Sequence, residues 1–351
     1  MEKKQRKWLR PLCIALTGVC ILSAAGYGVW TAQQKNKRYS AATYAMSTVV
    51  DQNAYGAHAE SAMEAVNKAF AAFENRLSLY VDDSEISQIN AASGQQPVKV
   101  SQDTFDLLTQ AKQLALSSDN AFALTIAPIS LAWGITTDTP RVLTQAETDA
   151  LLPLVNDNSL ILNADDCTAY LETAGQAIDL GGIAKGTACN VARDIYEQYG
   201  VDSALLSIGG NIYVRGTKPD GSEYRIGFRD PTQSASTSIA SVTLKDTVFA
   251  VSGGYERYFE QDGVRYIHIF DPSTGRPAES DIVSVGVINE DGTVADFYST
   301  TLFVWGKEKA LDFLSNGGCG MLLDENNNLY VSKALESSFE LAEDGYTVHF
   351  I

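Results

Sequence analysis

Asp179-Leu180-Gly181-Gly182-Ile183-Ala184-Lys185-Gly186 runs straight into a helical pattern, and its reading decides the rest of the chain. Two adjacent glycines let backbone approach a ligand closely, here where a strand should end and a helix begin. A helix N-terminus presents unpaired N–H groups and a partial positive charge, a natural seat for phosphate. Lys185 adds a mobile cation, and Asp179 offers an acceptor for a hydroxyl, an N–H or a metal. By itself a Gly-Gly turn also fits an ordinary strand-to-helix connection, so its meaning depends on what surrounds it.

Upstream, Thr43–Val50 reads as a strand and residues 57–77 as a long helix, with Met63, Val66, Phe70, Phe73 and Leu77 at helical spacing. Residues 79–90 break that pattern with Asp82, Asp83, Ser84 and Glu85, a loop and helix cap. Helices are expected over 101–116 and 144–154. Downstream, 201–270 carries short runs of Val, Ile, Tyr and Phe, broken at Gly209-Gly210-Asn211 and Pro219-Asp220-Gly221, as antiparallel strands do. A strand over 282–288, helices over 294–305 and 307–316, and a final pair of strands over 321–323 and 329–331 complete the pattern. The expectation is α+β, a mostly antiparallel sheet packed with helices. No repeat or linker divides residues 41–351, which read as one domain.

The first forty residues differ from the rest. Lys3, Lys4, Arg6, Lys7 and Arg10 precede Pro11–Trp30, a run without a charge and long enough to span a bilayer. The basic flank should stay in the cytoplasm, and Gln33–Arg38 would be a short tether. The segment reads as an uncleaved single-pass anchor in the cell membrane, with the remainder outside the cytoplasm. A signal cleaved near Ser23–Gly26 is the alternative, although the apolar run is long for one. Cys13 after Leu12 and Cys20 after Val19 fit a lipoprotein signal poorly.

The net charge of the 351 residues is -17, and the basic head makes the rest still more acidic. That argues against a nucleic-acid surface, and anionic ligands must be held by local features. Cys167, Cys189 and Cys319 lack metal-ligand spacing and suggest no disulfide framework.

Four further blocks carry polar chemistry. Ser78–Asn90 sets an acidic loop beside Tyr80, which can stack on a ring. Asn120-Ala121-Phe122-Ala123-Leu124-Thr125-Ile126 leads to Trp133-Gly134 and alone would pass for a core strand. Ser252-Gly253-Gly254-Tyr255-Glu256-Arg257-Tyr258 is followed by Arg265–Gly275, in which His268 precedes Ile269 in an alternating strand close to a Pro-x-Thr-Gly turn. In Ala295–Thr301, Asp296 and Thr300 are four apart and share a helix face, a carboxylate and a hydroxyl suited to magnesium. Singly, each block also fits a structural role: a solvated loop, a core strand, a histidine bonded to backbone, a helix with one polar face.

Taken in order, the five blocks resemble the ApbE family of FAD:protein FMN transferases, over nearly the whole chain beyond the tether. The Asp179–Gly186, Tyr266–Gly275 and Ala295–Thr300 runs are together highly specific, and Met46-Ser47-Thr48 is similar to the family's opening segment. The resemblance implies an ApbE-like, T-fold-related single catalytic domain that transfers FMN from FAD to a Thr or Ser hydroxyl of a partner protein, releasing AMP. It implies FAD contacts at Met46, Tyr80, Ala121, Phe122, Ala123, Asp179, Lys185, Ser252 and Ile269. It also implies Mg2+ on the Gly182 carbonyl, Asp296, Thr300 and Ser299, and His268 as acceptor of the hydroxyl proton. Ala123 and Gly254 stand where the family often has Asp, so each withdraws one side-chain contact. Elementary chemistry agrees: phosphoryl transfer from a pyrophosphate needs positioning and charge neutralisation, and a histidine near its ordinary pKa of about 6.5 can deprotonate an alcohol. FAD hydrolysis to FMN and AMP, or non-catalytic flavin carriage, are the competing readings. A carrier needs neither base nor metal clamp. No Asp-Gly-Ala-Thr-Gly-like acceptor site occurs in the chain itself.

Overall fold

The computed structural model describes residues 35–231 and 237–351. A nine-stranded sheet dominates, and its spatial order follows chain order: Arg38–Ala45, Thr48–Tyr55, Ser203–Ile208, Asn211–Gly216, Thr247–Gly253, Ile282–Asn289, Gly320–Asp324, Asn328–Val331 and Thr347–Phe350. Neighbouring strands are antiparallel except the last two, which run parallel. The described α-helices are α1 (Ala59–Leu77), α2 (Glu85–Ala91), α3 (Gln102–Ser117), α4 (Ala127–Trp133), α5 (Gln145–Leu151), α6 (Ala184–Gln198), α7 (Gly292–Trp305) and α8 (Lys307–Ser315). This is the α+β architecture that the apolar patterning predicts.

Helices α1 and α6 cover one face of the sheet. Val66 and Phe70 of α1 and Ala188, Ala192 and Tyr196 of α6 close a core with Val50, Leu206, Ile208 and Ala250. All five periodic residues of α1 are buried, each contributing about 1.5–3 kcal/mol through removal from water. A three-stranded sheet (Tyr224–Arg229, Ser238–Leu244, Phe339–Leu341) covers part of the other face, packing Phe228 and Val242 against Val214, Phe249 and Met321. Beyond α1, Phe73 and Leu77 join α2, α3 and Phe297 of α7 in a second core, which supports the loops around the site.

The structure departs from the sequence reading in several places. The strand expected over 43–50 is a hairpin turning at Met46-Ser47, with φ of 52° and 57° and Ala45 paired with Thr48. Two-residue hairpin loops of this hand favour Asn-Gly, so Met-Ser gave no turn signal. The 120–126 block forms no strand; after Asp119 and Asn120 at positive φ it enters a 3-10 turn, Leu124–Ile126, and then α4. The Asp157 carboxylate holds that turn by accepting from the Leu124 and Thr125 amides at 3.0 and 2.9 Å.

Ahead of Gly181 the chain belongs to no sheet. Its amides bond sideways instead, Ile178 to Asn90 Oδ1 at 2.6 Å and Asp179 to the Leu124 carbonyl at 2.8 Å. His268 and Ile269 fall between two short strands, Val264–Ile267 and Phe270–Asp271, rather than within one. Two strands follow the pair expected to be last. Cys167, Cys189 and Cys319 are free. The expected Pro11–Trp30 anchor lies outside the described residues, and among those described no helix is long and apolar enough to cross a membrane.

Candidate active site

Helices α6 and α7 meet where neither has a side chain. A Cβ on Gly186 would run into the Gly292 carbonyl and Asp296 Cβ, and one on Gly292 into the Gly186 carbonyl. This contact seats Asp296 against the first turn of α6, where Oδ2 accepts the Gly186 amide at 2.8 Å. A second tie locks the crossing: Asn190 of α6 donates to Asp291, the N-cap of α7, at 2.8 Å and accepts the Gly292 amide at 2.8 Å. The glycine turn packs as closely on its other side, since a Cβ on Gly182 would meet the Phe122 ring.

One cleft opens over this crossing. Its walls bring together Met46, Tyr80, Ala121, Phe122, Ala123 and Asp179, with Gly182, Lys185, Ser252, His268, Ile269, Asp296 and Thr300. Blocks separated by more than two hundred residues thus share a wall. Tyr80 is 60% exposed at the rim, whereas Ala121, Phe122 and Ile269 are buried. Ser299 is not on the wall. It is fully buried behind Ser252, its Oγ 2.8 Å from Ser252 Oγ and 2.9 Å from the Asp296 carbonyl. Arg265, near His268 in sequence, pairs instead with Glu260 and stacks on Tyr258.

Asp179 fixes the turn. It accepts the Gly181 amide at 2.8 Å and the Ser130 hydroxyl at 3.0 Å. Burial raises its carboxyl above the usual carboxylate range, opposed by those bonds and by Lys185. Lys185 Nζ reaches back to the Gly181 carbonyl at 3.5 Å and shares the wall. The expected helix start is present with a cation beside it, but the Ile183 and Ala184 amides bond the Leu180 carbonyl and the Gly186 amide bonds Asp296.

The donor set tests a magnesium ion. Asp296 is 2% exposed, and among the described residues its carboxylate accepts only the Gly186 amide. A nearly buried carboxylate on a cleft wall, with one oxygen bonded to Gly186 and the other left over, is a hard oxygen donor of the kind a magnesium ion takes. Thr300 stands one turn along, its Oγ1 3.5 Å from Ser252 Oγ. No cluster of three or more His, Cys, Asp or Glu side chains with metal-holding geometry occurs among the described residues. One carboxylate with hydroxyl, carbonyl, water and phosphate oxygens is a donor set that magnesium accepts.

His268 is half-buried, and both its donors converge on one carbonyl. Its amide and its Nδ1 lie 3.0 and 3.1 Å from Arg257 O. A carbonyl only accepts, so Nδ1 carries the proton and Nε2 keeps a lone pair. Removal from water, reinforced by the charges of Lys185 and Arg257, pushes its pKa down to about 4. That replaces the ordinary value assumed from sequence: the ring is neutral through the whole neutral range, its Nε2 lone pair available but less basic than that of an ordinary imidazole.

Sequence reasoning missed three groups. Arg257 donates through Nη2 to the Ser47 carbonyl at 2.7 Å, and Glu74 accepts the Met46 amide at 3.0 Å, which together hold the hairpin turn. Ser130, which fixes Asp179, is the third. Arg257 lies inside the Ser252–Tyr258 run, but nothing local says that its carbonyl meets a histidine eleven residues on.

The chain is similar to known proteins in both sequence and fold. A sequence profile of the ApbE family matches residues 43–323. The FAD:protein FMN transferase of Klebsiella pneumoniae (strain 342) is 33% identical over 315 residues, covering 89% of this chain and 98% of that protein. That of Treponema pallidum (strain Nichols) is 33% identical over 313 residues, covering 84% and 86%. Among solved structures, the ApbE protein of Thermotoga maritima superposes with a TM-score of 0.76 at 31% identity, covering 88% of this chain and 97% of that one. The flavin transferase ApbE from Vibrio cholerae gives 0.74 at 25% identity, covering 87% and 96%.

Proposed function

The chain belongs to the ApbE family and is an FAD:protein FMN transferase, and from that premise we propose that it moves FMN onto a Thr or Ser hydroxyl of its acceptor with magnesium on the FAD diphosphate. Lys185, at the start of α6, holds the diphosphate, and Tyr80, Phe122 and Ile269 bound the flavin side of the cleft. Asp296, Thr300 and the Gly182 carbonyl would hold the cation. Magnesium, when bound, neutralises charge on the diphosphate oxygens.

His268 Nε2 takes the proton from the incoming hydroxyl as its oxygen bonds to the FMN phosphorus. The bond between the two phosphates breaks, and AMP leaves with the electron pair. Phosphoryl transfer of this kind depends on positioning and charge stabilisation, to which Lys185 and a neutral base contribute without covalent help from the protein.

The observation that carries this reading is that Asp296, Lys185 and His268 line a single cleft. Its support for transfer over simple flavin carriage is the base: binding needs no neutral histidine with its lone pair fixed. The same reading keeps the enzyme at the cell membrane, with Pro11–Trp30 as a single-pass anchor and the catalytic domain outside the cytoplasm. The uncharged run behind a basic head supports that placement. An acceptor domain carrying an Asp-Gly-Ala-Thr-Gly-type site, incubated with enzyme, FAD and magnesium, should become covalently fluorescent in a denaturing gel. Release of free FMN with no labelled protein would assign FAD hydrolysis instead.

A further inference from the structure

We propose that Arg257 is a positioning residue for the transfer step: it ties the Met46–Ser47 turn to His268 and so fixes how His268 meets the acceptor hydroxyl. The inference rests on His268 being the base. Residues 254–257 form no strand, and Arg257 O, the one acceptor bonded to the His268 ring among the described residues, is held on the backbone side by the His268 amide at 3.0 Å, just past the Tyr258–Ile267 pair of the short hairpin. The Arg257 side chain adds a second tie, because the guanidinium reaches the Ser47 carbonyl at 2.7 Å and anchors this end of the hairpin to the Met46–Ser47 turn.

That carbonyl is itself well placed. Ser47 and Met46 adopt positive φ, a conformation that non-glycine residues adopt only where the surroundings impose it. Glu74 of α1 imposes it here by accepting the Met46 amide at 3.0 Å. Contacts therefore run from α1 to the hairpin turn, from the turn to Arg257, and from Arg257 to the base. A planar guanidinium suits such a bridge, since it can donate to a carbonyl and leave further N–H groups facing the cleft.

Charge gives Arg257 a second effect on the same ring. The cations beside His268 are Lys185 and Arg257, and the carboxylates on the shared cleft wall are Glu74, Asp179, Glu256 and Asp296. Removing Arg257 deletes one of two cations that favour the neutral imidazole, whereas a lysine retains the charge. A purely structural role would leave the pH dependence untouched.

The test uses full-length enzyme, FAD, magnesium and the acceptor domain carrying an Asp-Gly-Ala-Thr-Gly-type site. Arg257→Ala should lower kcat for transfer about ten- to a hundredfold, the scale of a small misplacement of a reacting group, with FAD affinity and melting temperature unchanged. Its acidic limb in kcat/KM should move to higher pH, and Arg257→Lys should restore the wild-type limb and part of kcat. Added to His268→Asn, Arg257→Ala should cost little more, because both act through one ring. Wild-type transfer in Arg257→Ala beside an inactive His268→Asn would overturn the positioning role alone. Wild-type transfer in His268→Asn would instead remove the base on which it rests. Loss of FAD affinity in step with transfer would make Arg257 a phosphate ligand and also overturn it, as would an unmoved acidic limb.

Discussion

The Gly186 amide donates to Asp296 Oδ2 at 2.8 Å, across a helix crossing that admits no Cβ on either side. The bond places a carboxylate at the positive end of α6, beside the turn that Lys185 overlooks. Among the described residues the other carboxylate oxygen has no hydrogen-bond donor. Fold and site thus share one contact, and the consequences can be separated by substitution.

Gly186→Ala should destabilise the protein, because the new methyl must displace the Gly292 carbonyl, and backbone yields less readily than a side chain. Overpacking of this kind costs about 1–3 kcal/mol or more. Thermal unfolding of the purified variant should show a lowered Tm, with transfer lost even where the protein stays folded. An unchanged Tm would mean that the helices separate freely at this point.

Asp296→Asn separates charge from hydrogen bonding. The amide oxygen can still accept from Gly186, so stability should hold, while the cation loses its carboxylate and transfer falls to background. Asp296→Ala is the less clean variant, since it also strands a buried N–H, at a cost of about 1–3 kcal/mol. In wild type, chelation should abolish transfer and excess magnesium restore it. Near wild-type turnover in Asp296→Asn, with magnesium present, would end the metal assignment.

Lys185→Ala should weaken FAD binding about ten- to a hundredfold, the range of a charge-assisted contact worth about 1.5–3 kcal/mol. Arg257 faces the same cleft but bonds the hairpin turn, so it should not compensate. Flavin fluorescence titration reads the change. Unaltered affinity would mean that the Gly181 contact is the whole role of Lys185.

The depressed pKa of His268 fixes two pH dependences. Free enzyme loses its base only on protonation, so the acidic limb of kcat/KM should lie near the folded value of about 4, not near 6.5. For stability, the unfolded histidine binds its proton at about 6.5 and the folded one only at about 4. Between those values the unfolded state holds more protons, so this group makes stability fall as pH drops through the window and adds nothing further below it. Comparing Tm against pH for wild type and His268→Asn isolates the contribution. An identical pH dependence in both proteins would contradict it.

Much of this was legible in the chain because it is local. The burial of Met63, Val66, Phe70, Phe73 and Leu77 follows from helical spacing, the start of α6 from two glycines before a helical pattern, and the shared face of Asp296 and Thr300 from a separation of four. What escaped depends on distant contacts. The close pass of Gly186 over Gly292 has no signature in either segment. Met46-Ser47 lacks the residues that announce a two-residue turn, and its strain is held by Glu74 and Arg257. The pKa of His268 reflects removal from water and two cations, Lys185 and Arg257, one remote in sequence and one eleven residues away. Pattern alone gave the 120–126 block as a strand, although Asp157 holds it as a turn.

Full-length protein should fractionate with membranes and release an active catalytic domain when truncated. The truncation belongs near Lys35, ahead of the 41–351 boundary read from sequence, because the first strand begins at Arg38 and Ser40 bonds Asn53 at 2.7 Å. Soluble full-length protein whose N-terminus lies near Ala25 would show that the segment is a cleaved signal.

The central claim is that FMN passes from FAD to a protein hydroxyl at this cleft. Its most direct test is to count AMP and protein-bound flavin together, by chromatography and intact mass, while wild-type enzyme acts on the acceptor domain with FAD and magnesium. The account predicts one AMP for each flavin covalently attached at the acceptor Thr, with both products lost in His268→Asn. AMP accompanied by free FMN and an unmodified acceptor would contradict it.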